Sequence, residues 1–341
     1  MNRSPYISNA PTVSVIMLKV LFALVPGIIA YTWVYGGGIL VTLSLATITA
    51  VASEAALLKI RQRPIAPHLT DLSAVVTAWL LALALPTLAP WWLVVVGTFF
   101  AIVIAKQLYG GLGYNPFNPA MVGYAVLLIS FPVIMTKWPA PLILAQTKLG
   151  FMEQLQLILG GVLPANTPLD AITSATPLDY LKTQLMLEHE IASIGQAPIF
   201  GVFGAQGGEI VTGAYLLGGV YLLQQRIISW HLPTAFLGVL VTMSFVFYVA
   251  DSTHFANPMF HLMSGASMLC AFFIITDPVS GPTTPKGKLY FAAGVAVLTY
   301  LIRVYGGYPD GVAFAVLLMN MCVPLIDAYT QPRVFGHNDS K

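Results

Sequence analysis

The chain has 341 residues, of which 57% are hydrophobic and only 8% are charged. Soluble domains carry about 25% charged residues, so this composition excludes a water-soluble globular protein and indicates a membrane protein. The net charge of +2 predicts no nucleic-acid partner, because binding to a phosphate backbone needs a clear excess of Lys and Arg.

Ten apolar segments are predicted to be helices in the bilayer. A membrane-spanning helix needs about 20 residues, and the segments that approach this length are 17–35, 38–58, 91–108, 119–136, 211–225, 231–250, 289–305 and 311–329. Two shorter segments, 72–85 and 262–276, are predicted to be half-helices or to cross by tilting. The predicted fold class is therefore an all-α polytopic membrane protein of about ten transmembrane helices.

The positive charges predict an orientation. If the N-terminus is cytoplasmic and the ten segments alternate, 11 of the 15 Lys and Arg residues fall on the cytoplasmic side, as the positive-inside rule requires. The C-terminus is then also cytoplasmic. Four regions follow: a first five-helix repeat (1–136), an external loop (137–209), a second five-helix repeat (210–330) and a cytoplasmic tail (331–341).

The two halves resemble each other in sequence. "SAVVTAWLLALALPTLAP" (73–90) aligns without gaps on "GASMLCAFFIITDPVSGP" (265–282), with Pro86 matching Pro278 and Pro90 matching Pro282. "LYGG" (108–111) likewise matches "VYGG" (304–307). Because five is odd, the second copy enters the membrane from the opposite side. This pattern predicts an inverted repeat with a site near the midplane, at two half-length or broken helices.

A run of hydroxyl side chains, "DAITSATPLDY" (170–180), lies in the external loop. One interpretation is structural: Thr176 is an N-cap, Pro177 the first helical residue and Asp179 the third. The other interpretation is functional, because a helix N-terminus favours a phosphate group and Pro177 favours an extended Thr176. The residues alone leave both interpretations open.

The segment Asp170-Ala171-Ile172-Thr173-Ser174-Ala175-Thr176 resembles the flavinylation motif Asp-x-x-Ser/Thr-x-Ala-Thr. Ser174 stands where that motif often has Gly. With the segments "RSPYIS", "NPFNPAMVGYA" and "DPVSGPTTPKG", the whole chain resembles the NqrB/RnfD family of membrane flavoprotein subunits. The resemblance implies covalent FMN on Thr176, attached as a phosphoester by a flavin transferase that recognises Asp170. Asp170, Thr173, Ser174 and Ala175 are implied as the other cofactor-binding residues of the motif.

The same resemblance implies a function and a set of partners. The chain would be an electron-transfer subunit, with translocase and oxidoreductase activity in its complex, that couples ferredoxin and NAD chemistry to Na⁺ or H⁺ translocation. It would lie in the bacterial inner membrane, with the Thr176 loop in the periplasm. Its partners would be RnfA, RnfB, RnfC, RnfE and RnfG. A second, noncovalent flavin such as riboflavin is also implied, without residues assigned to it.

Asp277 is the candidate for the ion pathway, because it ends a half-helix beside Pro278 and intramembrane acids are commonly functional. No metal site is predicted, since the six histidines lack ligand spacing. The alternative function is a solute transporter or channel with an inverted-repeat pathway and no covalent flavin. Flavin fluorescence on a denaturing gel distinguishes the two.

Overall fold

The computed structural model describes residues 12–164, 167–308 and 310–332, and most of them are helical. The helices before the long loop are α1 (Val13–Tyr35), α2 (Gly38–Ile60), α3 (Ile65–Leu69), α4 (Ser73–Ala84), α5 (Trp91–Phe99), α6 (Pro119–Ser130) and α7 (Pro132–Met135). The loop contains α8 (Phe151–Gly160), α9 (Pro177–Met186) and α10 (Ile191–Ile194). The remaining helices are α11 (Gly208–Gln224), α12 (His231–Ala250), α13 (Pro258–Met263), α14 (Ser267–Leu269), α15 (Pro285–Tyr305) and α16 (Val312–Thr330).

Two π-helical segments, one 3₁₀ turn and two short strands also occur among the described residues. π-Helical segments continue α5 (Phe100–Gln107) and α14 (Cys270–Ile274), and a 3₁₀ turn covers Leu169–Ala171. Two-residue strands, β1 (Trp138–Pro139) and β2 (Thr173–Ser174), pair antiparallel. This small sheet and an isolated antiparallel bridge between Phe200 and Ala205 are the β structure of the described residues.

The predicted multi-pass helical membrane fold is confirmed. Each of the ten predicted segments contains a helix. Six helical segments are individually long and apolar enough to cross a bilayer: 13–35, 38–60, 65–84, 231–250, 285–305 and 312–330. Large apolar side chains such as Phe22, Ile48 and Val249 lie exposed on them, as expected of surfaces that face lipid rather than water.

The predicted segment 119–136 is interrupted in the structure. α6 ends at Ser130, and the short α7 begins at Pro132. Pro132 has no N–H to donate and disfavours a helical conformation of the preceding Phe131, which adopts φ −133° and ψ 52°. A proline inside an apolar run therefore ended the helix six residues before the predicted boundary.

Both predicted short helices are short or broken. α4 has 12 residues and ends at Ala84, just before Pro86. The matching segment of the second half is divided, because α13 ends at Met263 and α14 begins at Ser267. Gly265, between them, has φ +65°, a left-handed conformation that favours glycine. The helix then continues as a π-helix to Ile274, before Pro278.

One hydrophobic core joins the two halves. α1 packs along α11, and α6 packs against α16. The first pair approaches closely because Gly218 has no side chain; a Cβ there would collide with the carbonyl oxygen of Ala23. Hydrogen bonds connect the second pair, since the Asn320 Oδ1 atom accepts the N–H of Asn118 at 3.1 Å. The halves therefore form one packed unit.

The inverted repeat and the four regional boundaries remain predictions. One structural feature supports the duplication: each half buries a cation just before its Tyr-Gly-Gly sequence, and that cation binds the first serine of the short helix. Lys106 Nζ donates to Ser73 Oγ at 2.7 Å, and Arg303 Nη1 donates to Ser267 Oγ at 2.9 Å. The predicted segment "RSPYIS" and most of the tail 331–341 lie outside the described residues.

Candidate functional site

Thr176 lies at the N-terminus of α9, with its backbone extended at φ −72° and ψ 154°. Its Oγ1 atom accepts a hydrogen bond from the N–H of Asp179 at 3.2 Å, and Pro177 is the first helical residue. The predicted cap is thus confirmed. The side chain is half-buried, so the hydroxyl caps the helix and still lies close to solvent.

The strands hold the motif in place. Thr173 and Ser174 form β2 and pair with Pro139 and Trp138 of β1. The N–H of Ala140 donates to the carbonyl of Ile172 at 2.9 Å. This pairing connects the hydroxyl run to the segment that leaves α7. The motif is therefore held against the helical domain at a fixed point.

The other motif residues lie around Thr176 in different surroundings. Asp170 and Ala175 are exposed, whereas Thr173 and Ser174 are half-buried. The Thr173 hydroxyl donates to the carbonyl of Leu169 at 3.0 Å. Asp170 lies in the 3₁₀ turn Leu169–Ala171. A partner protein can therefore reach Asp170 directly, while Thr173 stabilises the turn.

α9 is anchored to the second half of the chain. The Lys182 ammonium donates to the carbonyl of Gly306 and, at 3.3 Å, to that of Tyr308, at the C-terminal end of α15. A cation there also complements the helix dipole. Burial lowers the pKa of Lys182 below its ordinary value, and the nearby Asp179 carboxylate partly offsets this shift. The ammonium is therefore lost at a lower pH than that of an exposed lysine.

A small apolar cluster adds to this anchor. It contains the α9 residues Leu178 and Leu181, together with Ile194, Ala256 and Phe260. The cluster buries the face of α9 that points toward the second half. Thr176 thus lies at the start of a helix that is fixed by both a charge and apolar contacts.

A cavity opens beside Thr176, between the two halves. It encloses about 1270 Å³ including the open space at its mouth. Its walls are mainly apolar and aromatic, and include Tyr31, Tyr124, Tyr215, Trp138, Met263 and Asp310. Thr176 is the one residue of the 170–176 motif among the described residues that line this space. We call it the Thr176 cavity.

The walls of the Thr176 cavity suit a flat aromatic group. Ligand pockets are mostly apolar with a few polar groups that fix orientation, and this cavity combines aromatic rings with tyrosine hydroxyls. The Tyr215 hydroxyl is buried and has no hydrogen-bond partner among the described residues, although buried polar groups are normally paired. A flat aromatic group attached at Thr176 would have a space of suitable chemistry beside its point of attachment.

A second cavity, the Asp277 cavity, lies between the halves and encloses about 950 Å³ including its mouth. Its lining includes Ser73, Lys106, Asn115, Asn118 and Asp277. Nothing in the sequence predicted that the other four residues would lie near Asp277. The structure therefore places the candidate ion-pathway residue in a mainly apolar cavity that has several polar side chains and that Thr176 does not line.

The Asp277 carboxylate has partners in its own turn. Oδ2 accepts the Ser280 hydroxyl at 2.7 Å, and Oδ1 accepts the N–H of Val279 at 3.2 Å. Two neighbouring carbonyls are occupied as well: Ile274 accepts from Asn118, and Ser280 accepts from Asn320. Asp277 thus stabilises the turn after the π-helix, and a cation there would have to share the carboxylate with these donors.

Two buried ion pairs were not predicted. Lys106 binds Glu54 at 2.7 Å, with side chains 2% and 1% exposed. Arg303 binds Asp310 at 3.1 Å. The sequence signal for such a pair is a charge within an apolar span. That signal shows that a partner is needed but does not identify it.

Together, the fold and site define a class: a multi-pass helical membrane protein with an anchored hydroxyl loop above an apolar cavity. The family model described as "NQR2, RnfD, RnfE family" matches residues 1–336. The chain therefore belongs to the NQR2, RnfD, RnfE family.

Curated relatives are similar over nearly their whole length. A protein of Salmonella paratyphi A (strain ATCC 9150 / SARB42) is 52% identical over 342 residues, covering 98% of this chain and 97% of the relative. A protein of Yersinia pseudotuberculosis serotype O:1b (strain IP 31758) is 53% identical with the same coverage. Both relatives are named as subunits of an ion-translocating oxidoreductase complex.

Proposed function

We propose that this protein is the membrane flavoprotein subunit of an ion-translocating oxidoreductase complex, with FMN bound covalently to Thr176. The names of relatives that are 52% and 53% identical support the complex. One observation carries the flavin assignment: Thr176, the last residue of the motif, lines a cavity with apolar and aromatic walls.

A flavin transferase would join FMN to the Thr176 hydroxyl as a phosphoester: the hydroxyl oxygen would attack the FMN phosphorus of FAD, the pyrophosphate bond would break, and AMP and the hydroxyl proton would be released. Asp170 is exposed for recognition by that enzyme. The bound flavin would then supply reversible electron uptake and release. The chain's own residues would fix the attachment point through Lys182 and β2, and would place N–H groups of α9 near the phosphate. The apolar walls would strengthen electrostatic interactions in the cavity relative to bulk water.

A second, noncovalent flavin such as riboflavin would need a separate site, and we propose the Asp277 cavity, with its mainly apolar walls, as the candidate for it. Two flavins in separate cavities of one subunit would support electron transfer across the interface between the halves. The other subunits, proposed to be RnfA, RnfB, RnfC, RnfE and RnfG, would connect this transfer to ferredoxin and NAD in the bacterial inner membrane.

Flavin fluorescence on a denaturing gel tests this proposal. The chain is produced with and without a flavin transferase, denatured and illuminated. A fluorescent band that depends on the transferase supports a covalent flavin. A chain that inserts into the membrane but never fluoresces would contradict it and favour the transporter or channel.

The proposed orientation gives a labelling prediction. A cysteine introduced at Gly150, before α8, should react with an impermeant reagent added from the periplasm, because 137–209 is proposed to be periplasmic. A cysteine introduced at Gln62, after α2, should react only from the cytoplasm. The background uses Cys322→Ser, since that thiol is exposed in the structure. The opposite labelling pattern would invert the proposed topology.

Asp277→Asn is expected to lower ion-coupled turnover while covalent flavin on Thr176 stays intact. The acid lines the Asp277 cavity, and a buried carboxylate costs free energy unless it is paired. Asn keeps an acceptor for Ser280 but removes the charge. Ion uptake and electron transfer are measured in vesicles and normalised to bound flavin.

Leu85 is the matched control, because it occupies the corresponding position of the first half. It is fully buried in the core, so Leu85→Asn should reduce stability and leave coupling per folded molecule unchanged. If the Asp277→Asn variant moves as many ions per electron as the unsubstituted protein, the carboxylate only stabilises its own turn and has no part in ion movement.

A further inference from the structure

An ion pair between the buried Arg303 and the half-buried Asp310 lies against the break between α13 and α14. The Arg303 Nη1 atom donates to the carbonyl of His261 and to the Ser267 hydroxyl, each at 2.9 Å. The Asp310 Oδ2 atom accepts the N–H of Ala266 at 2.8 Å. The positive Arg303 side chain therefore binds a carbonyl near the C-terminal end of α13. The negative Asp310 side chain binds an N–H just before α14. Both placements are the ones that helix dipoles favour.

The backbone of the break lies directly against this pair. Arg303 Nε donates to Asp310 Oδ1 at 3.1 Å. A Cβ on Gly265 would collide with Asp310 Oδ2 and lie 2.8 Å from Arg303 Nη2. Glycine is therefore required here by both space and its φ of +65°. These contacts fix the position of both charges.

The two charges are placed differently relative to the Thr176 cavity. Asp310 lines the cavity together with Gly265 and Ala266, whereas Arg303 is not among the described lining residues. The Asp310 side chain is 21% exposed and the Arg303 side chain only 1%. The carboxylate therefore faces the cavity, and the guanidinium lies behind it as a compensating charge.

We propose that Arg303 and Asp310 act with opposite signs on the reduction potential of the flavin in the Thr176 cavity, each charge offsetting the other. This inference rests on the proposed function. Each electron that the flavin accepts adds one negative charge until a proton follows. A nearby carboxylate opposes that charge and a guanidinium favours it, and both effects are stronger beside apolar walls than in bulk water. The two effects offset each other in the intact pair, so the loss of either member exposes the effect of the other.

Substitutions of the two members should therefore shift the potential in opposite directions. Asp310→Asn leaves Arg303 uncompensated and makes the flavin potential more positive. Arg303→Gln leaves the Asp310 charge and makes it more negative. We expect each change to alter the equilibrium constant for one-electron reduction about tenfold, which is about 59 mV. The double variant should return close to the unsubstituted value.

The test is an anaerobic redox titration of the flavinylated full-length chain in detergent, followed by flavin absorbance. A Thr176→Ala preparation gives the contribution of any noncovalent flavin. Asp251→Asn is the matched control, because Asp251 carries an exposed carboxylate outside the cavity. Arg303→Lys keeps the charge and should keep the potential, even where it lowers thermal stability.

A purely structural role of the pair would lower thermal stability in both single variants without moving the potential. That result, or shifts of the same sign, would overturn the inference. If the Arg303→Gln variant does not fold, the potential of the Asp310→Asn variant alone tests the inference. That variant is the safer one for folding, because Asn retains an acceptor for the N–H of Ala266. Absence of covalent flavin from the unsubstituted chain would contradict the proposed function as well. Covalent flavin with an unmoved potential contradicts this inference alone.

Discussion

Thr176→Ala is expected to abolish covalent flavin completely, because alanine offers no hydroxyl for the phosphoester. The chain itself should still insert and fold. Loss of an N-cap costs about 0.5–2 kcal/mol, and α9 keeps its Lys182 hydrogen bonds and its apolar cluster. The measurement is flavin fluorescence after denaturation, with the amount of protein determined on the same gel.

The chain contains a matched control for this substitution. The tetrapeptide Thr-Pro-Leu-Asp occurs twice, beginning at Thr167 and at Thr176. Only the second threonine lines the cavity among the described residues. Thr167→Ala should therefore keep full fluorescence, and Thr176→Ser should keep a hydroxyl at the attachment point. A fluorescent Thr176→Ala chain would show that the flavin is attached elsewhere.

Lys106→Met is expected to destabilise the protein by about 3–5 kcal/mol, because it leaves the Glu54 carboxylate buried without its cation. Glu54 is 1% exposed, and its Oε1 atom accepts from Lys106 Nζ at 2.7 Å and from Gln107 Nε2 at 2.6 Å. The other oxygen, Oε2, has no partner among the described residues. Thermal unfolding of the detergent-solubilised chain measures the loss.

Removing both charges should restore most of that stability, since replacing a buried pair with neutral groups is often close to neutral. The double variant Lys106→Met with Glu54→Gln tests this, and Gln keeps an acceptor for Gln107. Lys59→Met is the control for loss of a lysine, because Lys59 is exposed at the end of α2. Equal stability of Lys59→Met and Lys106→Met would show that the buried pair contributes nothing.

The sequence predicted the helices well because lipid demands long apolar runs with internally satisfied backbones. It also predicted the cap at Thr176, since Thr-Pro at a helix start depends on neighbouring residues alone. The end of α6 was missed, although Pro132 was visible, because apolar composition continues past it. The local signal of a proline therefore locates the end of this helix, whereas hydropathy alone places it too late.

Contacts between distant segments could not be predicted in the same way. Glu54 and Lys106 are far apart in the chain, and so are Trp138 and Ser174 of the small sheet. Nothing local in a single sequence specifies which residue a buried charge or a two-residue strand will meet. The two cavities could not be predicted for the same reason, because residues from both halves form their walls.

The two ion pairs occupy comparable places in the fold. Lys106 lines the Asp277 cavity, and Asp310 lines the Thr176 cavity. Each pair also binds the first serine of a short helix, Ser73 or Ser267.

Mass spectrometry of the tryptic peptide between Lys148 and Lys182 tests the central claim most directly. This peptide contains both Thr167 and Thr176 and no internal Lys or Arg, so fragmentation can place a modification on one of them. In a chain produced with its flavin transferase, we predict the added mass of one FMN phosphoester, carried by fragments that contain Thr176. An unmodified peptide, or a flavin placed on Thr167, would contradict the assignment.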